Sequence, residues 1–111
     1  MRITQLDEYD DFIDQFVKYP KAGQQHIEAL TYCALGLTGE AGEYSEKVKK
    51  FLRDGTFDKE AAALELGDVL WYVTRSANEL GFSLEYIANK NIEKLMSRKE
   101  RGVLGGSGDN R

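Results

Sequence analysis

Apolar residues recur at helical spacing through most of the chain, one stripe in each of four segments. In the two central segments the stripes consist of Leu30, Leu37, Ala41, Tyr44 and Val48, and of Ala62, Leu66, Val69, Val73 and Leu80. No segment shows sustained period-two alternation, so we predict no β-sheet. The pattern therefore predicts an all-α fold, with a four-helix bundle-like protomer.

Capping residues and helix breakers divide the chain into its predicted helices. With these signals we expect helices at residues 4–19, 26–53, 58–80 and 83–101. Pro20 should end the first helix near Tyr19, and Gly55 suits the left-handed position after the second. Residues 1–101 then form a single all-α domain. Residues 102–111 are rich in glycine and polar residues, so we expect a flexible C-terminal tail.

Two short acidic patterns lie on the middle helices, Glu40-x-x-Glu43 and Glu65-x-x-Asp68. Residues three apart on a helix are surface neighbours, with roughly 5–6 Å between their Cβ atoms. The link between these helices is short, so an antiparallel hairpin could bring all four carboxylates together. Converging carboxylates repel one another unless a cation lies between them, and hard divalent cations prefer oxygen ligands. The patterns favour a metal site over a merely charged border around core helices.

Glycines are unusually frequent beside the first acidic pair. Gly36, Gly39 and Gly42 lie within the predicted second helix, where each costs about 1 kcal/mol relative to alanine. Close approach of another helix or of a ligand to the backbone would compensate for this cost, and so would a local kink.

Basic and polar residues form a stripe on the predicted fourth helix. Asn91, Lys94 and Arg98 fall at i, i+3 and i+7. Lys94 and Arg98 can contact phosphate oxygens, although a solvated basic face produces the same pattern. Tyr72 lies four residues after Asp68 and near the acidic edge, where it could contact a sugar or a phosphate or pack in the core.

Composition excludes several classes of protein. The chain has 111 residues and a formal net charge of −4, which argues against a nucleic-acid binder. Its one cysteine, Cys33, cannot form an internal disulfide. No apolar run approaches the roughly 20 residues needed to span a bilayer. The N-terminus also lacks the apolar stretch of a signal peptide. We therefore expect a cytoplasmic protein with no membrane association.

Three stretches together resemble the MazG-like nucleoside triphosphate pyrophosphohydrolases of the all-α NTP pyrophosphatase superfamily. They are Gly36–Glu43, Glu65–Tyr72 and Asn91–Arg98. The resemblance implies that four acids bind Mg²⁺, with Mn²⁺ as a substitute, and carry catalysis; they are Glu40, Glu43, Glu65 and Asp68. It also implies hydrolysis of a (d)NTP to (d)NMP and pyrophosphate, as nucleotide-pool house-cleaning. Tyr72 and the fourth-helix stripe of Asn91, Lys94 and Arg98 would then bind the substrate.

The resemblance also bears on assembly, because members of the family are commonly dimers or tetramers. Leu64 and Trp71 lie opposite the main apolar stripe of the third helix, so this helix has two faces to cover. We therefore expect a homodimer or a homotetramer.

Two alternatives to this interpretation stay open, and a third is disfavoured because its motif is absent. Relatives act on other nucleotides, including phosphoribosyl-ATP, and the sequence does not exclude such a substrate. A di-iron carboxylate bundle needs Glu-x-x-His motifs, and no histidine follows either acidic pair. A non-enzymatic helical interaction module could carry the acidic pairs as surface charges.

Overall fold

Four α-helices account for most of residues 1–109, the part of the chain that the computed structural model describes. They are α1 (Leu6–Ile13), α2 (Ile27–Asp54), α3 (Lys59–Glu79) and α4 (Leu84–Glu100), and a 3-10 turn, Asp14–Phe16, follows α1. This part of the chain contains no strand, which confirms the all-α prediction. None of its helices is both long enough and apolar enough to cross a membrane.

Side-chain caps account for the starts of the three long helices. His26, Asp58 and Ser83 precede α2, α3 and α4, and each accepts a hydrogen bond of 3.0 Å from a backbone N–H in the first turn. Gly55 ends α2 in the left-handed conformation and donates to the carbonyl oxygen of Phe51 at 2.8 Å. Each of these signals lies next to the helix end that it determines, so the ends of α2 and α3 and the start of α4 were predictable within one or two residues.

The first helix is shorter than the sequence predicts. The pattern favoured a helix as far as Tyr19, whereas α1 ends at Ile13 and the chain passes through the 3-10 turn to extended backbone at Val17. The Tyr19 side chain is buried, and its hydroxyl donates to the carboxylate of Glu79 at 2.5 Å. This contact with α3 favours the bend over continuation of the helix.

A buried polar network attaches the α1–α2 connection to α3. The Glu79 carboxylate accepts backbone N–H groups of Gly23 at 2.7 Å and Gln25 at 3.1 Å. Arg75 donates from Nε to the Tyr19 hydroxyl at 3.0 Å and lies 3.5 Å from Glu79. Burial alone would raise the pKa of Glu79, but the hydrogen bonds from Tyr19 and the two backbone N–H groups, together with the charge of Arg75, lower it overall.

The apolar core is small and lies beside this network. It is built on Tyr19, Ala29 and Cys33, and Trp71 and Tyr72 pack against it. Four residues of the predicted apolar stripes are exposed instead: Ala41, Val48, Leu66 and Leu80. The prediction was wrong there because α2 and α3 pack mainly on each other, which leaves the outer parts of both apolar stripes uncovered within one protomer.

The helices form a flat protomer. Helices α2 and α3 make an extensive hairpin, while α4 contacts α1 and α3 more sparsely. The backbone N–H of Leu84 donates to Asp10 at 2.7 Å, which joins α1 to the start of α4. The radius of gyration is 16.4 Å, compared with about 13 Å for a compact chain of this length. The small core and this shape leave much apolar surface exposed.

The C-terminal segment turns back on α4. The backbone N–H of Val103 donates to the carbonyl oxygen of Arg98 at 2.9 Å, and Asp109 pairs with Lys94 and Arg98. The predicted flexible tail covers residues 102–111, of which 110 and 111 lie outside the described residues. Its mobility and the domain boundary at residue 101 stay predictions.

We expect Glu79→Gln to lower the free energy of unfolding by about 3 kcal/mol, because it weakens the pairing of a buried arginine. Urea unfolding at pH 7 measures this loss. The folded-state pKa of Glu79 is depressed below its ordinary 4.5. The stability it contributes is therefore present above pH 4.5 and lost as the pH falls through the lower folded value. Glu93→Gln, which breaks the exposed pair with Lys90, is the control and should change nothing. Equal stabilities of the two variants would contradict a central role for the network.

Candidate metal centre

Three acidic side chains converge between α2 and α3. Glu40, Glu65 and Asp68 each offer a carboxylate oxygen, and these oxygens lie within 4.8 Å of one another. Glu40 comes from the middle of α2, whereas Glu65 and Asp68 come from the first half of α3, so the packing of the hairpin creates the cluster. Such spacing suits a divalent cation, which binds carboxylate oxygens at roughly 2.0–2.6 Å.

The electrostatics of this acid cluster favour a bound cation. Partial burial raises the pKa of Glu40, and the charges of Asp68, Glu65 and Glu43 raise it further. The donors are all hard carboxylate oxygens, which match Mg²⁺ or Mn²⁺ better than softer metals. A divalent cation would replace mutual repulsion by attraction to a shared charge, so the residues present fit such an ion.

Glu43, the remaining acid of the sequence pattern, is placed differently. Its side chain is exposed on α2, and it is not one of the three residues whose oxygens converge. It lies near enough to contribute to the raised pKa of Glu40. Its role as a metal ligand stays a prediction.

Aromatic side chains form a cleft beside the acid cluster. Phe16, Trp71 and Tyr72 line it together with Glu40 and Asp68, and its volume is about 290 Å³. The Trp71 and Tyr72 rings meet edge to face with centroids 4.9 Å apart. The cleft therefore places flat apolar surfaces directly beside the carboxylates.

Sequence reasoning did not place Phe16 or Trp71 at this site. The pattern places Trp71 on a second apolar face and favours an oligomer interface there, but the Trp71 ring packs edge to face against Tyr19 and lines the cleft. Its position three residues after Asp68, on the same side of α3, was the available signal. No local pattern marks Phe16, because its place depends on the bend that follows α1.

Tyr9 of helix α1 lies close enough to the cluster to experience the charge of Asp68. Burial raises the pKa of Tyr9, and the negative charge of Asp68 raises it further. Residues of the N-terminal segment thus lie close to the carboxylates as well as to the aromatic cleft.

Gly36 admits the ring of Tyr72 to the surface of α2. A Cβ at this position would overlap the Tyr72 ring, whereas the space above Gly39 and Gly42 is open. Of the explanations for these glycines, close approach of another helix therefore accounts for Gly36. Burial raises the pKa of Tyr72, with a further contribution from Tyr32.

The predicted substrate-binding residues of α4 lie on another surface. Asn91 and Lys94 line a groove along α4, and Arg98 is buried beneath the C-terminal segment. Within residues 1–109, none of the three lines the cleft that contains Glu40 and Asp68. The protomer therefore brings the acids and the aromatic residues together and keeps the basic stripe apart from them.

Comparison with known proteins decides the family. Residues 28–103 match the MazG nucleotide pyrophosphohydrolase domain. The chain belongs to this family. The Gene 37 protein of Mycobacterium phage L5 is 52% identical over 99 residues, which cover 84% of this chain and 87% of that relative. No solved structure matches significantly.

Membership in the MazG family has two general consequences. It supports nucleotide pyrophosphohydrolase activity, and the family generally depends on a divalent metal. The acid cluster of this MazG domain is a candidate site for that ion.

We expect Glu40→Gln to weaken Mg²⁺ binding by at least about tenfold. The raised pKa of Glu40 means that the metal-free wild type loses stability as the pH rises from 4.5 through the raised folded value. The variant carries no charge at position 40, so this loss does not occur, and its metal-free stability at pH 7 should be equal to that of the wild type or higher. Calorimetric titration with Mg²⁺ and urea unfolding in EDTA measure the two effects. Glu46→Gln, an exposed change on the same helix, is the control. Unchanged Mg²⁺ affinity in Glu40→Gln would rule out this site.

A pair of glycine variants tests how Tyr72 is positioned. Gly36→Ala should displace the Tyr72 ring and cost about 1–3 kcal/mol of stability, because it overpacks the contact between helices. Gly42→Ala faces open space and should instead stabilise α2 by up to about 1 kcal/mol. Fluorescence of Trp71, the single tryptophan and a direct neighbour of Tyr72, should change only in Gly36→Ala. The same spectrum in both variants would be evidence against this positioning role.

Proposed function

We propose that this MazG domain is a Mg²⁺-dependent pyrophosphohydrolase that cleaves a nucleoside triphosphate to the monophosphate and pyrophosphate. One observation carries the proposal. In a chain of the nucleotide pyrophosphohydrolase family, the carboxylate oxygens of Glu40, Glu65 and Asp68 lie within 4.8 Å of one another, beside an aromatic cleft.

The acid cluster would hold the metal through Glu40, Glu65 and Asp68. When bound, Mg²⁺ neutralises phosphate charge and makes water more acidic. The chain itself contributes carboxylates that are fixed on two packed helices; those of Glu40 and Glu65 are half-buried and that of Asp68 is exposed. Glu43 is the acid that is not drawn into the cluster, so it is the first candidate for the general base that accepts a proton from the attacking water.

The aromatic cleft would receive the nucleoside. Its volume of about 290 Å³ and its walls of Phe16, Trp71 and Tyr72 suit a flat ring system. Base–aromatic stacking contributes about 1–3 kcal/mol per base and tolerates different bases. Stacking would therefore supply affinity, and contacts with the edges of the base would supply selectivity. Tyr72 lies between the core and the carboxylates, where its hydroxyl could reach the sugar.

The basic stripe of α4 would bind the phosphate chain. The ammonium of Lys94 and the guanidinium of Arg98 both lie 3.1 Å from a single carboxylate oxygen of Asp109. Two cations that converge on one oxygen can converge in the same way on a phosphate oxygen. Asn91 shares the groove with Lys94 and could donate from its amide.

We also propose that the domain assembles as a homodimer or a homotetramer. Large apolar side chains of the hairpin remain exposed, among them Leu35 at 70%, Leu52 at 83% and Leu64 at 75%. Apolar surface of this kind commonly marks an interface, and closed two-fold symmetry is the commonest arrangement. In such an assembly, α4 of one protomer could lie close to the acid cluster of its partner.

Product analysis tests the reaction. With Mg²⁺ and a panel of dNTPs, chromatography should show the monophosphate and pyrophosphate as first products. Lys94→Ala should raise KM by about tenfold, because a charge-assisted contact to phosphate is lost. Lys99→Ala, on the same helix, is the control and should keep the wild-type KM. A diphosphate and inorganic phosphate as first products would overturn the proposed reaction.

A further inference from the structure

The C-terminal tail of the chain supplies an anion to the basic stripe. Asp109 is the only acidic residue after Glu100. One of its carboxylate oxygens accepts from Lys94 Nζ and from Arg98 Nη2, both at 3.1 Å. The backbone carbonyl of Gly108 accepts from the same Arg98 nitrogen at 3.3 Å. Two consecutive residues of the tail therefore occupy donors that the proposed function assigns to phosphate.

The path of the tail brings Asp109 back to these donors. Gly102 and Gly108 both adopt positive φ, at 71° and 81°, which lets the chain reverse after α4 and again just before Asp109. Between them, the N–H of Val103 donates to the Arg98 carbonyl at 2.9 Å, and the N–H of Gly106 donates to the Val103 carbonyl at 3.1 Å. The return is thus a hydrogen-bonded sequence of turns that begins at Arg98 itself.

Arg98 is enclosed in this arrangement, while Asp109 is not. The Arg98 side chain is 6% exposed and the Asp109 side chain 82%. The Nε of Arg98 is buried and has no hydrogen-bond partner in residues 1–109. The guanidinium is therefore withdrawn from water with its hydrogen-bonding capacity only partly used, which is an unfavourable state for a buried donor.

We propose that the tail is an autoinhibitory segment, in which the Asp109 carboxylate occupies Lys94 and Arg98 until a phosphate group displaces it. The inference rests on the proposed function, since it takes these two cations as the phosphate-binding pair. A phosphate group offers more oxygens and more negative charge than one carboxylate, so it can engage both cations as well as the unpartnered Nε.

The strength of the tail contact suits displacement. The hydrogen bonds from Lys94 and Arg98 lower the pKa of Asp109 from an ordinary value at which the carboxylate is already charged at neutral pH. Because this carboxylate is largely in solvent, its ion pairs are weak and screened by salt. A weak internal competitor reduces phosphate affinity modestly without closing the site permanently.

Pyrophosphate binding in EDTA tests the competition without the metal and without turnover. Calorimetry should show about two- to fivefold tighter binding by Asp109→Asn than by the wild type, since a weak surface ion pair no longer competes. A chain ending at Arg101 should show the same gain. Glu100→Gln, which removes an equal charge at the end of α4, is the matched control and should keep the wild-type affinity. Wild-type affinity in both Asp109→Asn and the shortened chain would overturn the inference.

A spin label on the tail provides a second readout. Cys33 is fully buried, so a nitroxide attached to Ser107→Cys reports on the tail alone. Its spectrum should show slow motion in the wild-type background and faster motion when pyrophosphate is added. In the Asp109→Asn background the motion should be fast from the start. A spectrum that neither pyrophosphate nor Asp109→Asn changes would count against displacement.

Activity separates this inference from the proposed function. A chain that releases its tail on binding pyrophosphate but hydrolyses no dNTP would refute the proposed function and support the tail inference. A chain that hydrolyses dNTPs while Asp109→Asn leaves pyrophosphate affinity unchanged would support the proposed function and refute the tail inference.

Discussion

The arrangement of the site depends on the buried contacts of Glu79 with Arg75 and Tyr19. Burying two opposite charges is costly, and it becomes tolerable only when their remaining hydrogen-bonding capacity is satisfied. Glu79 meets this condition with backbone N–H groups as well as side-chain donors. Because Tyr19, Gly23 and Gln25 belong to the connection between α1 and α2, satisfying one buried carboxylate on α3 also favours the bend of the chain after α1. That bend carries Phe16 to the cleft beside Asp68.

The acid cluster presents the opposite situation at the other end of α3. Glu40, Glu65 and Asp68 converge without any cationic side chain of the protomer among the residues that form the cluster or line its cleft. Burial raises the pKa of Glu40, and the charges of the neighbouring acids raise it further, so part of this shift reflects the unfavourable energy of the convergence. One helix thus carries a buried carboxylate whose charge is fully compensated and a pair of carboxylates whose charge is not. The first stabilises the fold, whereas the second costs stability, which is the pattern expected of a binding site.

Sequence-based prediction succeeds here where the determining interactions are local and fails where they are long-range. Capping residues, the hairpin link and the spacing of the acidic pairs are local signals. The sequence therefore predicted the helices, and it also predicted that Glu40 would meet the two acids of α3. The end of α1 could not be predicted, because it depends on Tyr19 meeting Glu79, which is 60 residues away. The exposure of Leu66 and Val48 was also unpredictable, since periodicity marks an apolar face without showing whether one protomer covers it.

The two charged surfaces of the protomer differ in what they require of a substrate. The basic pair is already neutralised from within, because Asp109 provides a carboxylate to Lys94 and Arg98. The acid cluster has no comparable internal partner in the described chain. Under the proposed function, a metal–nucleotide complex would compensate the acids by adding positive charge, but it could engage the basic pair only by exchange with a carboxylate. Binding at the acids would therefore supply most of the electrostatic gain, while the exchange at α4 would contribute mainly to orientation of the phosphate chain.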